Sequence, residues 1–249
     1  MRTKVLIILT LTVFAAFTSC KKAPLTVGKT ITETRALADF SEVRLNDNIS
    51  LSLMRSDTNY IVITTGENIL ENITTEIDGD VLTISNTTTL NWIRPYDYEI
   101  HATLYYKDIS NFIFNSSGTL DTKNSYNDPD HEGFYRFEVD GGCGDIDILV
   151  NNCPDFRFVY QYGTSHVTLH GENNNHFVVY KRSYGIFDAR NYQAQHVDIQ
   201  NVSVADCFIW ATDIINAEIT HHGNIYYKGE PAEISCNYGP FAEGKLLPL

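Results

Sequence analysis

The chain has 249 residues and a formal net charge of −13 at pH 7, with 43% hydrophobic and 12% aromatic side chains. The acidic balance argues against nucleic acid and anionic lipid as partners, because both attract basic protein surfaces. The apolar content is sufficient for a well-ordered core. The length allows one or two domains.

The N-terminus is organised like a bacterial lipoprotein signal. Arg2 and Lys4 precede an apolar run over residues 5–17, which is too short to cross a bilayer as a helix. Small residues then precede Cys20, an arrangement that resembles a lipobox. We predict a signal peptide over 1–19, lipidation of Cys20 and a lipidated tether over 20–38. The alternative is an ordinary secretory signal with an incidental cysteine.

Cleavage before Cys20 removes two basic residues and no acidic one, so the mature charge becomes −15. A multiply acylated terminus is a stable membrane anchor. We therefore expect a protein that is lipid-anchored to the outer membrane of the cell envelope. Lys21 and Lys22 lack the acidic neighbours that often accompany surface export, which favours the periplasmic side.

A single head domain is predicted over 39–249, with an N-terminal β part at 39–110 and repeats at 111–249. In the N-terminal part, apolar residues alternate from Phe40 onwards. Asp78 and Gly79 form a hairpin signal, and a short helical turn is expected around 67–71. The segment before residue 38 has little periodicity.

A short motif, called here the glycine phrase, recurs about seven times between residues 116 and 244. It consists of an aromatic or polar residue, a glycine and then alternating apolar residues. Glycine accepts a positive φ and marks a corner, whereas the alternation is that of a strand. Recurrence every 16–26 residues is typical of a stacked architecture. We predict an all-β, parallel β-solenoid with about 20 residues per coil; the alternative is an antiparallel β-sandwich. The corner positions are Gly118, Gly144, Gly163, Gly185, Ser203, Gly223 and Gly239.

Counting from each corner, the second and fourth residues are predicted to point inward because they are mostly apolar. The first and third should face solvent. The predicted inward residues include Leu120, Ile146, Ile148, Ser165, Val167, Phe187, Ala189, Ala205, Cys207, Ile225, Phe241 and Glu243.

The order of these motifs resembles one known family. The sequence Asp78-Gly79-Asp80-Val81-Leu82-Thr83-Ile84, the repeated glycine phrases and a final Gly223-Asn224-Ile225-Tyr226-Tyr227 are similar to the putative auto-transporter adhesin, head GIN domain family. The resemblance covers about 40–243. It implies a right-handed β-helix-like fold on exported, often lipid-anchored proteins, and it implies no catalytic residue.

An outward column is the strongest candidate ligand or cation face. Its members include Asp147, His166, Asp188 and Asp206. In a solenoid, neighbouring members lie about 4.8 Å apart, and carboxylates at that distance repel unless one is protonated or a cation lies between them. The alternative is a solvated acidic face on which His166 relieves the repulsion.

The remaining patterns carry weaker hypotheses. His166 and His170 lie roughly 13 Å apart on a strand, so we expect no metal site, and we expect no cofactor. Tyr162, Tyr184 and Tyr238 form either a buried stacking ladder or a sugar-stacking platform. Cys143 and Cys153 are the candidate disulfide.

Two functions remain. The first is a non-catalytic, adhesin-like envelope protein whose rigid surface binds a glycan or another envelope protein. The second is a β-helical enzyme that acts on polysaccharide at the acidic column. The sequence contains no nucleophile, oxyanion-hole or phosphate-loop pattern, which favours the first and gives no catalytic residue.

Overall fold

A computed structural model describes residues 26–89, 98–128, 130 and 133–249. The predicted signal peptide and Cys20 lie outside the described residues. The elements are β1 (Thr30–Ala36), β2 (Glu42–Asp47), β3 (Ser50–Arg55), β4 (Tyr60–Gly66), α1 (Glu67–Leu70), β5 (Ile73–Asp78), β6 (Val81–Asn86), β7 (His101–Tyr106), β8 (Asn111–Ser116), β9 (Leu120–Thr122), β10 (Phe134–Gly142), β11 (Ile146–Asn151), β12 (Asp155–Tyr162), β13 (Val167–Lys181), β14 (Phe187–Asn201), β15 (Cys207–Ile219), β16 (Ile225–Lys228), β17 (Glu233–Tyr238) and β18 (Leu246–Pro248).

The predicted parallel β-solenoid is confirmed, with about 21 residues per turn. Each coil contributes one strand to sheet 1, turns a corner and contributes one strand to sheet 2. Sheet 1 contains β2, β6, β8, β10, β12, the second halves of β13, β14 and β15, and β17. Sheet 2 contains β3, β7, β9, β11, the first halves of the same long strands, β16 and β18.

The interior is organised by a ladder of phenylalanines beneath sheet 1. Phe112 stacks on Phe137 with ring centroids 5.0 Å apart, and Phe137 stacks on Phe158 at 5.5 Å. Parallel strands in register bring equivalent side chains one strand spacing apart, so successive rings can lie face to face. Each such pair contributes about 0.5–1.5 kcal/mol beyond the area that it buries.

The corner between sheet 1 and sheet 2 is lined by a column of small residues. Strand register identifies its members as Gly118, Gly144, Ser165, Gly185, Ala205, Gly223 and Gly244, each two residues before the first residue of a sheet 2 strand. A Cβ atom on Gly185 would collide with the carbonyl oxygen of Ser165 on the preceding coil. Small residues are therefore required here because the backbones of adjacent coils approach closely.

The predicted corner positions are wrong in three coils. Gly163 and Ser203 lie two residues before the small-residue column, and Gly239 lies five residues before Gly244, the member of its coil. Gly163 does have a positive φ of 105°, as expected, whereas Gly185 does not and is needed for space. Phe241 and Glu243, counted inward from Gly239, are exposed for the same reason.

A buried lysine donates hydrogen bonds to the backbone and a side chain of the same corner. The Lys181 side chain is fully buried, and its Nζ donates hydrogen bonds to the Ser183 carbonyl oxygen at 3.0 Å and to Ser203 Oγ at 2.7 Å. Burial lowers the pKa of Lys181, opposed by the field of Asp206. Ser203 therefore serves the corner as a hydrogen-bond acceptor, a role that glycine could not fill.

The N-terminal end of the solenoid is closed by antiparallel strands. β4 pairs antiparallel with β7, β1 pairs antiparallel with β4, and β5 covers β6 through the predicted hairpin. The tether prediction is wrong over Thr30–Ala36, because β1 belongs to the sheet. Its residues are mostly exposed, as an edge strand allows.

The C-terminal end is open within the described residues. Ile234 and Tyr238 on β17 are in register with the buried Ile215 and Ile219 of the preceding coil, so they occupy inward positions. They are nevertheless 47% and 56% exposed, because no further coil covers them. The last coil thus displays core-type side chains to solvent.

Candidate functional site: a groove and histidine cluster on sheet 1

The outer face of sheet 1 carries two rows of mostly polar side chains. Strand register aligns Val178, Asp198, Asn216 and Ser235 in one row, and Tyr180, Gln200, Glu218 and Asn237 in the next. The residues between them along each strand, such as Val179 and Ile199, are buried in the core. Strand alternation therefore fixes these polar groups on the outer face.

The two rows border a shallow groove of about 420 Å³. Gln200 Nε2 donates to Glu218 Oε2 at 2.9 Å, and Ser235 Oγ donates to Asn216 Oδ1 at 2.8 Å. These contacts hold amide and carboxylate groups in position across neighbouring coils. The groove thus offers pre-positioned donors and acceptors on a rigid sheet, with the Tyr180 ring beside them.

A cluster of two histidines and one aspartate adjoins the groove. His176 and His196 are register partners on adjacent coils, and Asp198 is two residues after His196 on the same face. His176 Nε2 lies 2.7 Å from Asp198 Oδ2, and His196 Nε2 lies 3.0 Å from Asp198 Oδ1. The three side chains are about one-third exposed. These residue types and distances are those of a candidate metal-binding group.

Asp198 is the centre of the cluster. Burial opposes ionisation of its carboxyl group, but hydrogen bonds from Asn216 and His176, and the adjacent imidazoles, outweigh burial and lower the pKa of Asp198. Asn216 Nδ2 donates to Asp198 Oδ1 at 2.9 Å and is itself held through Ser235. The carboxylate is therefore charged at neutral pH and fixed in orientation.

The predicted acidic column is not a single column. Register aligns Asp147, Thr168, Asp188 and Phe208 in one row of sheet 2, whereas His166 and Asp206 lie two residues earlier in their coils. The prediction is wrong because it counted from Gly163 and Ser203, which are offset from the other corners. Asp147 and Asp188 are therefore separated by a whole coil that carries a threonine.

Each aspartate of the predicted face has its own partner. Asp188 Oδ1 accepts from Arg190 Nε at 2.9 Å, and the hydrogen bonds from Arg190 lower the pKa of Asp188 against the opposing effect of burial. Asp147 lies 3.1 Å from His170 Nε2, and Asp206 accepts the backbone N–H of Asn224 at 2.8 Å. The geometry matches a solvated face of locally satisfied charges.

The predicted tyrosine column is also wrong. Tyr162 is exposed beside Arg182, whose guanidinium lies 5.9 Å from the ring centroid. Tyr184 lies further along the corner of the next coil and is 73% exposed. Tyr238 occupies an inward position at the open end. The three rings share no row, and the buried ladder is built by phenylalanines instead.

The candidate disulfide does not form in the structure. Cys143 is exposed in a corner, whereas Cys153 is buried beyond the far end of β11. Six residues of extended strand between them span about 20 Å, and a disulfide requires Cα atoms within about 7 Å of each other. The four cysteines among the described residues are all free thiols.

Sequence reasoning missed the histidine cluster because it compared histidines within single strands. The usable signal is a combination of two spacings. His196 and Asp198 are two residues apart, which places them on one face, and His176 precedes His196 by 20 residues, which is one coil. In a solenoid, residues that are one coil apart in sequence lie side by side on neighbouring strands.

Fold and surface together define a class of protein. A rigid stack of parallel coils that displays polar and aromatic groups along an open face is a solenoid with an extended surface of the kind that such proteins use for binding. Among the described residues, no helix is sufficiently long and apolar to span a membrane.

The chain belongs to the family described as putative auto-transporter adhesin, head GIN domain, whose model matches residues 39–231. The family is one of adhesin-like proteins of the cell envelope. No curated protein matches the chain.

Solved structures share the fold. A putative adhesin from Bacteroides fragilis NCTC 9343 is 19% identical, with a TM-score of 0.75 over 90% of this chain and 99% of that one. A putative lipid binding protein from Parabacteroides distasonis ATCC 8503 is 18% identical, with a TM-score of 0.64 over 89% and 97% of the two chains. A putative adhesin from the same organism is 16% identical, with a TM-score of 0.55 over 89% and 98%.

Proposed function

We propose that this protein is a non-catalytic, envelope-anchored binding protein that presents the outer face of sheet 1 to a glycan. The groove is the observation that carries the proposal. Its volume of about 420 Å³ lies in the range of small-ligand sites. Amide, hydroxyl and carboxylate groups from three coils line it, and such groups can pair with sugar hydroxyls while the Tyr180 ring packs against a sugar face.

Charge narrows the class of glycan. Asp198 and Glu218 line the groove, and the chain carries a net charge of −13. A neutral oligosaccharide avoids the repulsion that a uronate-rich or sialylated chain would meet here. The names of the structural neighbours, which include adhesins, support a binding role, whereas one neighbour is named for lipid binding.

The enzyme alternative has less support. The carboxylates of the predicted acidic column are separated and locally paired, as described above. A polysaccharide-cleaving site needs two acidic groups whose environments push their pKa values in opposite directions, and Asp188 and Asp198 are both shifted downward. We therefore assign no catalytic residue.

The anchoring part of the proposal concerns Cys20. An acylated Cys20 would tether the head to the outer membrane through residues 21–29, on the periplasmic side. In detergent phase separation of cells, the parent protein should enter the detergent phase and Cys20→Ala should not. A parent protein that stays in the aqueous phase would remove the anchor from the proposal.

Glycan binding is tested by screening the purified head domain against immobilised neutral, uronate-containing and sialylated oligosaccharides. We expect binding to neutral glycans that weakens at least about fivefold in Tyr180→Ala, since one aromatic contact is worth about 1 kcal/mol. The matched control is Tyr226→Ala on the outer face of sheet 2, where Tyr226 stacks on Phe208. Equal losses in both variants, or the release of new reducing ends from a polysaccharide, would contradict the proposal.

The open C-terminal end favours a second candidate, an envelope protein that adds a strand to this end. β17 pairs only with β15 and β18 only with β16 among the described strands, so the outer edges of both carry unpaired backbone groups. Such edges accept a partner strand by β-augmentation. The exposed Ile234 and Tyr238 would supply the apolar contacts.

A further inference from the structure

We propose that His176, His196 and Asp198 bind one divalent transition-metal ion of the zinc class on the outer face of sheet 1. Asp198 also lines the groove, but the inference does not require glycan binding, because it rests on the ligand atoms alone. Two imidazole nitrogens and a carboxylate oxygen are preferred donors for such ions, and three protein ligands leave a coordination position open to water or a further ligand.

The distances fit one ion. The three donor atoms all lie within 4.8 Å of one another. A metal ion bonded at about 2.0–2.1 Å to each requires donors about 3.3 Å apart in tetrahedral geometry. His176 Nε2 and His196 Nε2 already lie 2.7 and 3.0 Å from the Asp198 oxygens. The partly exposed histidine rings therefore need only small rotations to reach these separations.

At most two of the three close contacts around His196 Nε2 can be hydrogen bonds, whichever tautomer His196 adopts. His196 Nε2, Asp198 Oδ1 and Asn216 Nδ2 form a triangle with sides of 3.0, 2.9 and 3.0 Å. For all three sides to be hydrogen bonds, His196 Nε2 would have to donate to Asp198 and accept from Asn216 at the same time. A ring nitrogen does one or the other. A metal that takes the Nε2 lone pair leaves Asn216 free to donate to Asp198 alone.

A second layer of contacts already orients the carboxylate ligand Asp198. Asn216 Nδ2 donates to Asp198 Oδ1, and Ser235 Oγ donates to Asn216 Oδ1. Metal-binding carboxylates are commonly held by such outer hydrogen bonds, which raise affinity by fixing the ligand. The arrangement runs across three adjacent coils, so the folded solenoid positions it without any contribution from a flexible loop.

Other histidines of the chain provide the contrast. His222 Nδ1 lies 2.8 Å from Glu243, and His101 Nε2 lies 2.6 Å from Glu99. Each is a single imidazole beside a single carboxylate, and neither belongs to a group of three candidate ligands among the described residues. They are exposed at similar or greater levels, so they serve as matched controls for adventitious binding by surface histidines.

The test is a calorimetric titration of Zn²⁺ into the head domain without a histidine tag, in a buffer that does not bind metal. We expect one Zn²⁺ per chain, with affinity reduced at least about tenfold in His196→Gln and in Asp198→Asn. His222→Gln should bind as the parent does, and Mg²⁺ should give no heat because it prefers oxygen ligands. Binding that is lost equally in His222→Gln, or retained in both cluster variants, would overturn the proposal.

A spectroscopic measurement on the parent protein avoids dependence on the folding of the variants. Co²⁺ added to the parent should give visible absorption bands of a four- or five-coordinate ion, and Zn²⁺ should displace them. Absence of both the bands and a calorimetric signal at 100-fold excess metal over about 1 μM protein would also overturn it. Far-ultraviolet circular dichroism of each metal-free variant checks that the solenoid is intact.

Discussion

The two ends of the solenoid differ in whether their outermost coil is covered by further strands. At the N-terminal end, β4 pairs antiparallel with β7, β1 with β4, and β5 with β6, so antiparallel strands extend the edges of both sheets. At the C-terminal end, β17 and β18 have no outer partner among the described residues, and inward positions such as Ile234 are exposed. Stacked repeats need caps for solubility. Within the described residues, only the N-terminal end carries such a cap.

The sharpest test of this contrast is a pair of identical truncations. Ile61→Ala removes a fully buried side chain from the capping strand β4 and should cost about 2–5 kcal/mol of unfolding free energy. Ile234→Ala at the open end should cost less than about 1 kcal/mol, because much of its apolar surface is already in water. Urea denaturation measures both. Equal costs would indicate that the open end is covered in solution, for example by a second copy.

Alanine substitution of two glycines with positive φ compares the corner with the N-terminal hairpin. Gly79 turns the β5–β6 hairpin in open space, so Gly79→Ala should cost about 1 kcal/mol for the left-handed backbone alone. At Gly163 an added Cβ would also lie 2.6 Å from the Gly142 carbonyl oxygen, so Gly163→Ala should cost about 2–3 kcal/mol. Thermal melting of both variants measures the difference. A Gly163 variant as stable as the Gly79 variant would show that adjacent coils can separate at this corner.

Thiol chemistry probes the open end with the smallest perturbation. Burial raises the pKa of Cys207 to about 12, so only about one part in 10⁴ is thiolate at pH 8. Cys236 on β17 is partly exposed at the open end. In native protein, iodoacetamide should label Cys236 at least about 100-fold faster than Cys207, as read by mass spectrometry. Slow labelling of Cys236, with Cys143 labelled rapidly as a positive control, would mean that a partner or another copy shields β17.

The solenoid could be predicted from the sequence because a period of two and a repeat near 20 residues survive side-chain variation. The register of the corners could not be predicted from the sequence. A shift of two residues preserves strand alternation, so Gly163 and Ser203 fit the phrase as well as the true corner residues Ser165 and Ala205. Only the pairing of Val167 with Phe187 and of Phe187 with Cys207 identifies the column.

The same ambiguity explains the errors at the candidate site. The sequence count places Asp147, His166, Asp188 and Asp206 in one column, but the strand register keeps only Asp147 and Asp188 in the same row. His176, His196 and Asp198 lie on the other sheet, whose strands do not follow the counted glycines. β1 escaped prediction because an exposed edge strand such as Thr30–Ala36 buries no face and so lacks a hydrophobic pattern.

β1 also has a mechanical consequence. Its seven residues pair with β4 from Thr30 opposite Gly66 to Ala36 opposite Tyr60. Tension applied at Thr30 along the strand axis loads all seven residue pairs together in shear, whereas tension across the sheet opens them one at a time. A head pulled from its N-terminus therefore resists more force along β1 than across it. The direction of pull determines whether the seven residue pairs break together or one after another.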